Sequence, residues 1–243
     1  RPELSLNLDN LNSIKIINMK ENRGHARCNA TGLKHIFENE EFDYVIPMDG
    51  DGEDKPEEIK QLVDNLNYHN DKPIVGERIK RSEGIFFKFC YLVHKIITFT
   101  FTGQSIKYGN FTCLPKSTVE KMIKEKATWS SFSGALAKIT KDRATIPSKR
   151  GTRYFGPSKM SFKNLIIHSL SIISVFRTNV LIRSILFLLV YIFLIYQNIT
   201  AIMLIPVILV LTLIASAFVV SKRENLEELN NSLLNISNID NLK

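Results

Sequence analysis

The sequence predicts an α/β domain with a mostly parallel sheet, followed by a pair of helices that crosses a membrane. Three observations support this prediction. Apolar strand-like and amphipathic helix-like segments alternate in the first half of the chain. A cluster of carboxylates follows one of the apolar runs, and residues 184–220 form a stretch of 37 residues without a charge. The 243 residues suffice for one such domain and an appendage.

The first elements are predicted to alternate strand, helix, strand, helix, strand. The predicted strands are 13–19, 42–48 and 73–76, and the predicted helices are 26–38 and 56–67. Because strands joined by helices usually have right-handed crossovers, we expect the strands ending near residues 19, 48 and 75 to be parallel neighbours. His25, which precedes the first helix, is interpreted as a packing residue rather than a ligand or a base.

Residues 49–54 read Asp-Gly-Asp-Gly-Glu-Asp, and Pro56 then opens a predicted helix. In an extended chain the alternating Asp49, Asp51 and Glu53 would point the same way, and such hard oxygen ligands suit Mg²⁺ or Mn²⁺. The alternative is a solvated acidic turn, because Asp-Gly is a common turn dipeptide. The position after a buried strand and before a helix favours the metal site.

Basic residues cluster in two places beyond the predicted strands. Arg78 and Arg81 lie in a predicted loop, 76–84, where arginine side chains suit phosphate oxygens, although a solvated basic loop stays open. Seven basic residues between positions 141 and 163 are opposed only by Asp142, in a chain of net charge +8: Lys141, Arg143, Lys149, Arg150, Arg153, Lys159 and Lys163. Such a patch suits nucleic acid, anionic lipid or a phosphorylated substrate.

The cysteines and the start of the chain indicate the compartment of the protein and the extent of the sequence. Cys28, Cys90 and Cys113 lack metal-binding spacing and indicate free thiols in a reducing compartment. The chain begins at Arg1 without a signal peptide. We expect the natural protein to carry an N-terminal piece that precedes this sequence.

Two further segments are predicted to be amphipathic helices. Residues 85–101 have a very broad apolar face, typical of a core helix or of a helix in a membrane interface, and residues 162–176 carry an apolar stripe. We expect both to lie against a bilayer, because a small domain cannot bury two such faces. Between them we predict a turn at 109–111 leading into a strand, a basic surface helix at 118–126 and a packed element at 129–136.

The uncharged stretch 184–220 would form roughly 55 Å of helix, which is two bilayer cores of nearly 30 Å. Gln197-Asn198 is the natural break, so we predict transmembrane helices at 181–196 and 199–220. The connection carries no Lys or Arg, whereas the flanks carry Arg177, Arg183, Lys222 and Arg223. The positive-inside rule therefore places both ends in the cytoplasm. The tail from residue 224 is expected to be a short exposed helix.

Several of these motifs occur together in a fixed order. They are Asn22-Arg23-Gly24-His25-Ala26, the 49–54 cluster with Pro56-Glu57, Gly76-Glu77-Arg78, Gly109-Asn110-Phe111 and Arg153-Tyr154-Phe155-Gly156-Pro157-Ser158-Lys159. The ordered set resembles the family 2 glycosyltransferases with a GT-A fold. With the C-terminal hairpin it is most similar to the polyprenyl-phosphate group that includes dolichol-phosphate mannose synthase. The resemblance runs from about residue 14 to residue 220.

The resemblance implies a domain plan and a reaction. Residues 1–159 would form a GT-A domain lacking its first strand, 160–177 an interface helix, 181–220 the transmembrane hairpin and 221–243 a cytoplasmic tail. The implied reaction is inverting transfer of a hexose from a nucleotide sugar to a polyprenyl phosphate, undecaprenyl or dolichyl, at the cytoplasmic face of the membrane. The implied partners are the donor, the acceptor and the bilayer. No nucleic-acid partner is expected, and homo-oligomerisation stays open.

The resemblance also implies roles for individual residues. Asp49 and Asp51 match the family pattern that binds Mg²⁺ or Mn²⁺ and the donor diphosphate, and Glu53 stands where glutamine is usual and remains a third candidate ligand. The implied catalytic residues are Asp51, Arg78 and Arg153. The implied substrate-binding residues are Asp49, Arg78, Arg81, Arg153, Ser158 and Lys159.

The sequence departs from the family pattern in two places. Nothing matches the opening strand and loop that hold the nucleotide base, and the acid found before Gly109 in many members is absent from residues 105–108. A polyprenyl phosphate is already an anion and needs no general base to attack, so the chemistry tolerates the second loss. The alternatives are transfer to the hydroxyl of another lipid or polysaccharide, which would need such a base, and an inactive membrane-anchored scaffold.

Overall fold

The computed structural model describes residues 11–69, 71–80, 85–156 and 161–243. The strands in these ranges are β1 Lys15–Met19, β2 Tyr44–Val45, β3 Ile74–Lys80, β4 Tyr108–Pro115, β5 Ala144–Lys149 and β6 Ile236–Asn241. The α-helices are α1 His25–Asn39, α2 Ile59–Asp64, α3 Ile85–Thr102, α4 Lys116–Lys124, α5 Phe132–Ile139, α6 Phe162–Ser174, α7 Arg177–Ile195, α8 Ile205–Ser221 and α9 Leu226–Asn230. Short 3₁₀ turns at Pro56–Glu58 and Asn65–Tyr68 extend α2 at both ends.

The main described sheet has the strand order β2-β4-β3-β5. β3 and β5 are parallel, and β4 is antiparallel to both β2 and β3, so three of the four strands run in the same direction. The predicted α/β class with a mostly parallel sheet is therefore confirmed.

The predicted strand neighbours were wrong. β4 separates β2 from β3, and β1 pairs with the C-terminal β6 in a two-stranded antiparallel sheet. The alternation of strands and helices predicts the relative direction of consecutive strands, but it does not predict where a later strand such as β4 inserts in the sheet. β4 is buried at seven of its eight positions, which suits a central strand, and it takes the place between β2 and β3.

Two segments that we predicted as a loop and a turn are strand. Arg78 lies inside β3 rather than beyond its end, and Asn110 lies inside β4 rather than in a turn before it. Both strands carry polar residues on one face near the site, and this polarity hides their strand character in the sequence.

The sheet is covered on both faces. On one face α1, α4 and α5 bury a core that includes Leu33, Val75 and Leu136. On the other face a smaller core forms around Leu62 of α2, Ile74 and Phe111. Val75 and Ile74 are consecutive in β3 and serve opposite cores, as expected for alternating strand side chains.

The helices that follow the domain are joined to it by buried contacts. Val175 and Phe176, between α6 and α7, belong to the core of the domain. The fully buried Glu224 carboxylate, just after α8, lies 3.1 Å from Arg177 Nη1 and 4.0 Å from Lys126 Nζ. These contacts join both ends of the hairpin to the domain.

Two helical segments, Arg177–Ile195 and Ile202–Asn230, are long and apolar enough to cross a membrane, and only 11% of the apolar window of each is buried. The break between them lies where the sequence predicted it. Arg183 of α7 donates from Nη1 to the Thr100 carbonyl of α3 at 3.0 Å. Asn179 donates to the Thr102 carbonyl at 3.2 Å. Side chains of α7 thus provide hydrogen-bond donors for backbone carbonyls at the C-terminal end of α3.

The C-terminal tail packs on the domain, and the expectation of an exposed helix was wrong. Leu229 of α9 is fully buried against Ala30 and Trp129. Glu228 accepts a hydrogen bond from Trp129 Nε1 at 2.7 Å, and the Arg27 guanidinium lies 5.4 Å from the centre of the Trp129 ring. The tail therefore covers the outer side of α1, the helix that begins at the candidate site.

Replacing Leu229 with alanine is expected to lower the free energy of unfolding by about 2–5 kcal/mol, because it removes a fully buried side chain and leaves a cavity. Leu234 lies in the same tail but is 72% exposed, so Leu234→Ala should change that free energy by less than about 0.5 kcal/mol. Denaturant titration of the protein in detergent measures both. Equal effects of the two substitutions would contradict the packing of the tail.

Candidate active site

Residues 49–54, called here the acidic turn, connect β2 to the turn that begins at Pro56. The turn is closed by its own side chains. The Asp49 amide donates to Asp54 Oδ2 at 3.0 Å, and the Glu53 amide donates to Asp51 Oδ1 at 3.0 Å. Gly52 has a φ of 90°, a conformation that favours glycine. Aspartate side chains that bond to nearby backbone amides are typical of such tight turns.

Two side chains from different elements, those of His25 and Asn110, meet at Asp49. His25 Nε2, at the first residue of α1, lies 3.1 Å from Asp49 Oδ1. Asn110 Nδ2, in β4, lies 3.2 Å from the same oxygen and 2.9 Å from His25 Nε2. The His25 side chain is 58% exposed, so the expectation that it packs was wrong. His25 and Asn110 instead fix the orientation of the Asp49 carboxylate.

The electrostatics of this group favour a charged Asp49. The hydrogen bond with His25 lowers the pKa of Asp49, and Asn110 and the nearby charge of Arg78 act in the same direction. The same bond raises the pKa of His25. Burial raises the pKa of Asp54, whose carboxylate accepts the hydrogen bond from the Asp49 amide. Asp49 therefore presents a carboxylate anion, as a cation site requires.

Residues 149–154, called here the basic segment, lie directly against the acidic turn. Arg153 Nη1 is 3.1 Å from Asp51 Oδ2, Arg153 Nε is 3.2 Å from Glu53 Oε1, and Arg150 pairs with Glu53 Oε2. The backbones also meet, because Gly151 N donates to the Glu53 carbonyl and Tyr154 N donates to the Asp51 carbonyl, each at 2.9 Å. The two segments form one unit, which brings Arg153 to the edge of the carboxylate cluster.

Two glycines make this close approach of backbones feasible. A Cβ on Gly151 would lie 2.4 Å from the Gly52 carbonyl oxygen, which is far inside normal contact distance. A Cβ on Gly52 would lie 2.9 Å from the Tyr154 ring.

Gly151→Ala is therefore expected to force the basic segment away from the acidic turn and to lower the free energy of unfolding by about 1–3 kcal/mol. Gly32→Ala is a matched control, because nothing lies within 4 Å of its added Cβ. Its free energy of unfolding should rise by about 0.5–1 kcal/mol, since alanine is more favourable than glycine inside a helix. Denaturant titration compares the two. A tolerated Gly151→Ala would show that the two backbones can separate without cost.

Arg78 and His168 complete the surroundings of the turn. The Arg78 guanidinium lies over the backbone of Gly109, where a Cβ would come within 2.5 Å of Nη2, and its charge acts on both Asp49 and Asp54. His168 of α6 is solvent-exposed, yet the protein atoms around it and the charges of His25, Arg78 and Arg223 lower its pKa. α6 therefore passes close to the site.

Comparison with known proteins gives the family. Residues 5–129, just over half of the chain, match the sequence model of the family described as glycosyl transferase family 2. The chain belongs to glycosyl transferase family 2. The matched region contains His25, the acidic turn, Arg78 and Asn110, so the hydrogen-bond partners of Asp49 given above lie within the family 2 domain. The basic segment and the apolar helices lie beyond residue 129.

Curated relatives are similar over a somewhat longer region. Proteins named undecaprenyl-phosphate 4-deoxy-4-formamido-L-arabinose transferase from Salmonella paratyphi B, Salmonella newport and Salmonella heidelberg are each 30% identical over 156 residues. The aligned region covers 61% of this chain and 44% of each relative. The chain thus spans less than half the length of the curated relatives it matches.

The family 2 domain supplies a donor set that fits a hard divalent cation. Asp49 and Asp51 offer carboxylate oxygens at the edge of the sheet, and a Mg²⁺ site commonly uses one or two carboxylates together with substrate phosphates. Both oxygens of Glu53 face arginines. The described ranges contain no cluster of three or more His, Cys, Asp or Glu side chains arranged to hold a metal. Because both Glu53 oxygens are paired, Asp49 and Asp51 are the carboxylates of the turn that would hold such an ion.

The site predicted from the sequence is only partly described. The structure brings together Asp49, Asp51, Glu53, Arg78 and Arg153, whereas Arg81, Ser158 and Lys159 lie outside the described residues. Sequence reasoning missed Asn110 and Arg150 as site residues and assigned His25 to packing. His25 and Asn110 are 85 positions apart, and the one available signal was that each sits within a motif shared with the family.

Proposed function

We propose that this family 2 protein transfers a sugar, a hexose in our expectation from the sequence, from a nucleotide sugar to a polyprenyl phosphate at the cytoplasmic face of a membrane. The observation that carries the proposal is the contact of Arg153 with Asp51, which joins a carboxylate cluster to a basic segment that leads into apolar helices. The names of the curated relatives, which describe transfer of a substituted arabinose to undecaprenyl phosphate, support the choice of acceptor.

In this proposal the acidic turn binds the donor. Asp49 and Asp51 would hold Mg²⁺ or Mn²⁺, and the bound ion would neutralise the diphosphate that leaves with the nucleoside. His25 and Asn110 hold the Asp49 carboxylate in one orientation, so that the site needs little rearrangement when the donor binds. Arg78, which faces the same turn, would contact a phosphate oxygen.

The basic segment would then receive the acceptor. Two anions, the donor diphosphate and the acceptor phosphate, must approach within bonding distance, and cations between them offset their repulsion. Arg153 lies beside Asp51, where it can contact both. The acceptor phosphate oxygen would attack the anomeric carbon directly, which inverts its configuration and requires no general base.

The apolar helices support a site that lies next to a membrane. α3 exposes Phe89, Leu92, Val93, Ile96 and Phe99, a stripe at helical spacing, and Phe155, next to the basic segment, is 91% exposed. Because α7 bonds to the C-terminal end of α3, the α3 stripe lies beside the first membrane-spanning candidate. We infer that α3 and α6 lie in the interface and that the cationic flanks of the hairpin face the cytoplasm.

A hydroxyl acceptor fits the site less well. It would need a general base, and His25 Nε2, the nitrogen that faces the site, already lies against Asp49 and Asn110. We therefore favour the phosphate acceptor over the hydroxyl of another lipid or a polysaccharide.

A transfer assay separates these functions. Membranes containing the full natural protein are supplied with a panel of nucleotide sugars, including hexose and arabinose-derived donors, and with either undecaprenyl phosphate or undecaprenol. We expect a glycosyl undecaprenyl phosphate with one donor of the panel and no product from undecaprenol. A product from undecaprenol alone would contradict the proposal, and no product with any pair would favour the inactive scaffold.

A further inference from the structure

We propose that Glu53 is a positioning residue that holds Arg150 and Arg153 over the acidic turn, rather than a ligand of the divalent cation. The proposal rests on the proposed function for the role of Arg153 in transfer, whereas the placement of the basic segment follows from the structure alone. It also differs from the expectation, drawn from the family pattern, that Glu53 is a third metal ligand.

The two oxygens of the Glu53 carboxylate are each paired with a different arginine. Oε2 faces Arg150 Nη1, and Oε1 lies 3.2 Å from Arg153 Nε. The Glu53 side chain is 15% exposed and the Arg150 side chain 17% exposed, so these pairs are largely shielded from water. Shielded, hydrogen-bonded ion pairs couple their partners more strongly than pairs on the surface, and removing one partner leaves the other charge unpaired.

The backbone contacts put Glu53 at the centre of the junction. Its carbonyl accepts from Gly151 N, and the Asp51 carbonyl accepts from Tyr154 N. At the start of the basic segment Lys149 N donates to Glu58 Oε1 at 2.9 Å, which ties this end to the turn that follows the acidic turn. The segment is thus anchored at 149, 151 and 154, and the Glu53 side chain fixes the two arginines between these anchors.

A metal ligand would need a different geometry. For Glu53 to bind a cation, its carboxylate would have to release one or both arginines and leave their charges unpaired in a shielded place. Arg150 would lose the carboxylate that balances its charge. Its Nε is already buried without a hydrogen-bond partner among the described residues, so the loss would leave more of the guanidinium without a partner. Asp51 faces Arg153 through Oδ2 alone, whereas both oxygens of Glu53 face arginines. Asp49 and Asp51 are therefore the pair that would serve a Mg²⁺ site, with water and substrate phosphates as its other ligands.

The arrangement has a consequence for substrate binding. Arg153 bridges Glu53 and Asp51, so the position of Glu53 decides where the Arg153 guanidinium stands relative to the donor site. Loss of Glu53 should weaken binding of the acceptor phosphate more than binding of the donor. A glutamine at this position keeps a hydrogen-bond acceptor for Arg153 but loses the charge that holds Arg150, so Glu53→Gln should restore the effect only in part.

Glu53→Ala tests the assignment in the full chain, held in detergent or nanodiscs, by two measurements that need no turnover. Limited trypsin digestion reports how often the basic segment opens, through cleavage after Arg150 and Arg153. We expect Glu53→Ala to accelerate this cleavage about 10-fold, because local opening exposes the segment. The dissociation constant for Mn²⁺, followed by electron paramagnetic resonance, should change less than about 3-fold, whereas loss of a direct ligand would raise it by about 100-fold or more.

Controls and kinetics sharpen the test. Glu57→Ala removes an exposed carboxylate from the adjoining turn and should alter neither measurement. Arg150→Gln breaks the junction from the other side, so it should accelerate cleavage after Arg153 and leave Mn²⁺ binding intact even if Glu53→Ala fails to fold. In the transfer assay the KM for polyprenyl phosphate should rise in Glu53→Ala while the KM for the donor stays unchanged.

A 100-fold loss of Mn²⁺ affinity with unchanged cleavage would overturn the proposal and return Glu53 to the metal ligands. Unchanged cleavage in both Glu53→Ala and Arg150→Gln would overturn it as well. Failure of the proposed function is a separate result, because a protein that transfers no sugar still reports on the junction through trypsin and Mn²⁺.

Discussion

Replacing Asp51 with alanine is expected to abolish metal-dependent binding of the nucleotide sugar and to lower the transfer rate by about 10³-fold or more. Asp51 is one of the two carboxylates that fit a divalent cation, and its Oδ2 is also the partner of Arg153 at 3.1 Å. One substitution therefore removes a ligand and releases the arginine. Binding of the donor measured by calorimetry with and without Mn²⁺, together with the transfer rate, gives both effects.

Two further variants separate charge from structure. Asp51→Asn keeps an oxygen that can accept from the Glu53 amide, so the acidic turn should persist while the charge is lost. Its loss of metal-dependent binding should be close to that of Asp51→Ala. Glu57→Ala, on the adjoining turn, should bind the donor normally. Normal metal-dependent binding in Asp51→Asn would show that the acidic turn is a solvated turn and not the donor site.

Replacing Arg153 with alanine is expected to lower the transfer rate by about 10²-fold, as the loss of one charged contact to a transition state typically does. Arg153 lies against Asp51 and Glu53, and in the proposed function this is where the donor and acceptor phosphates would meet. Arg153→Lys should recover only part of the rate, because lysine lacks the planar fork that contacts two oxygens. Rates at saturating donor and varied acceptor measure the effect.

Membrane attachment is the control for Arg153. The hairpin α7–α8 alone should anchor the chain, so sedimentation with membranes should be the same for wild type, Arg153→Ala and Arg153→Lys. If Arg153→Ala transferred sugar at the normal rate but left the membrane fraction, the basic segment would be a headgroup contact and the assignment of a phosphate site would be wrong.

The sequence predicted those parts of the fold that depend on local periodicity. α1, α3 and α6 and the two membrane-spanning candidates lie where apolar spacing placed them. The sheet order was not accessible in this way, because β4 pairs with strands that are distant in the chain and its direction depends on those partners. The C-terminal tail was missed for the same reason, since Leu229 is buried by Ala30 and Trp129, both at least 100 positions away.

The candidate site shows the same division. The carboxylates of the acidic turn are adjacent in sequence, and their pattern is visible without a structure. The contacts of His25 with Asn110 and of Glu53 with Arg150 join residues 85 and 97 positions apart, and the sequence pattern does not show that these residues are partners. Ion pairs and hydrogen bonds of this kind are decided by tertiary packing, so residue types alone could not have assigned them.

The configuration of the anomeric carbon in the product tests most directly whether the acceptor phosphate attacks the sugar itself. Nuclear magnetic resonance of the glycosyl polyprenyl phosphate, formed by the full natural protein from a nucleotide sugar of known configuration, gives the answer. Direct attack predicts a single, inverted anomer that is formed by the wild type and lost in Asp51→Ala. A product with retained configuration would contradict the account, because retention requires a covalent or otherwise stepwise route instead of direct attack by the acceptor phosphate.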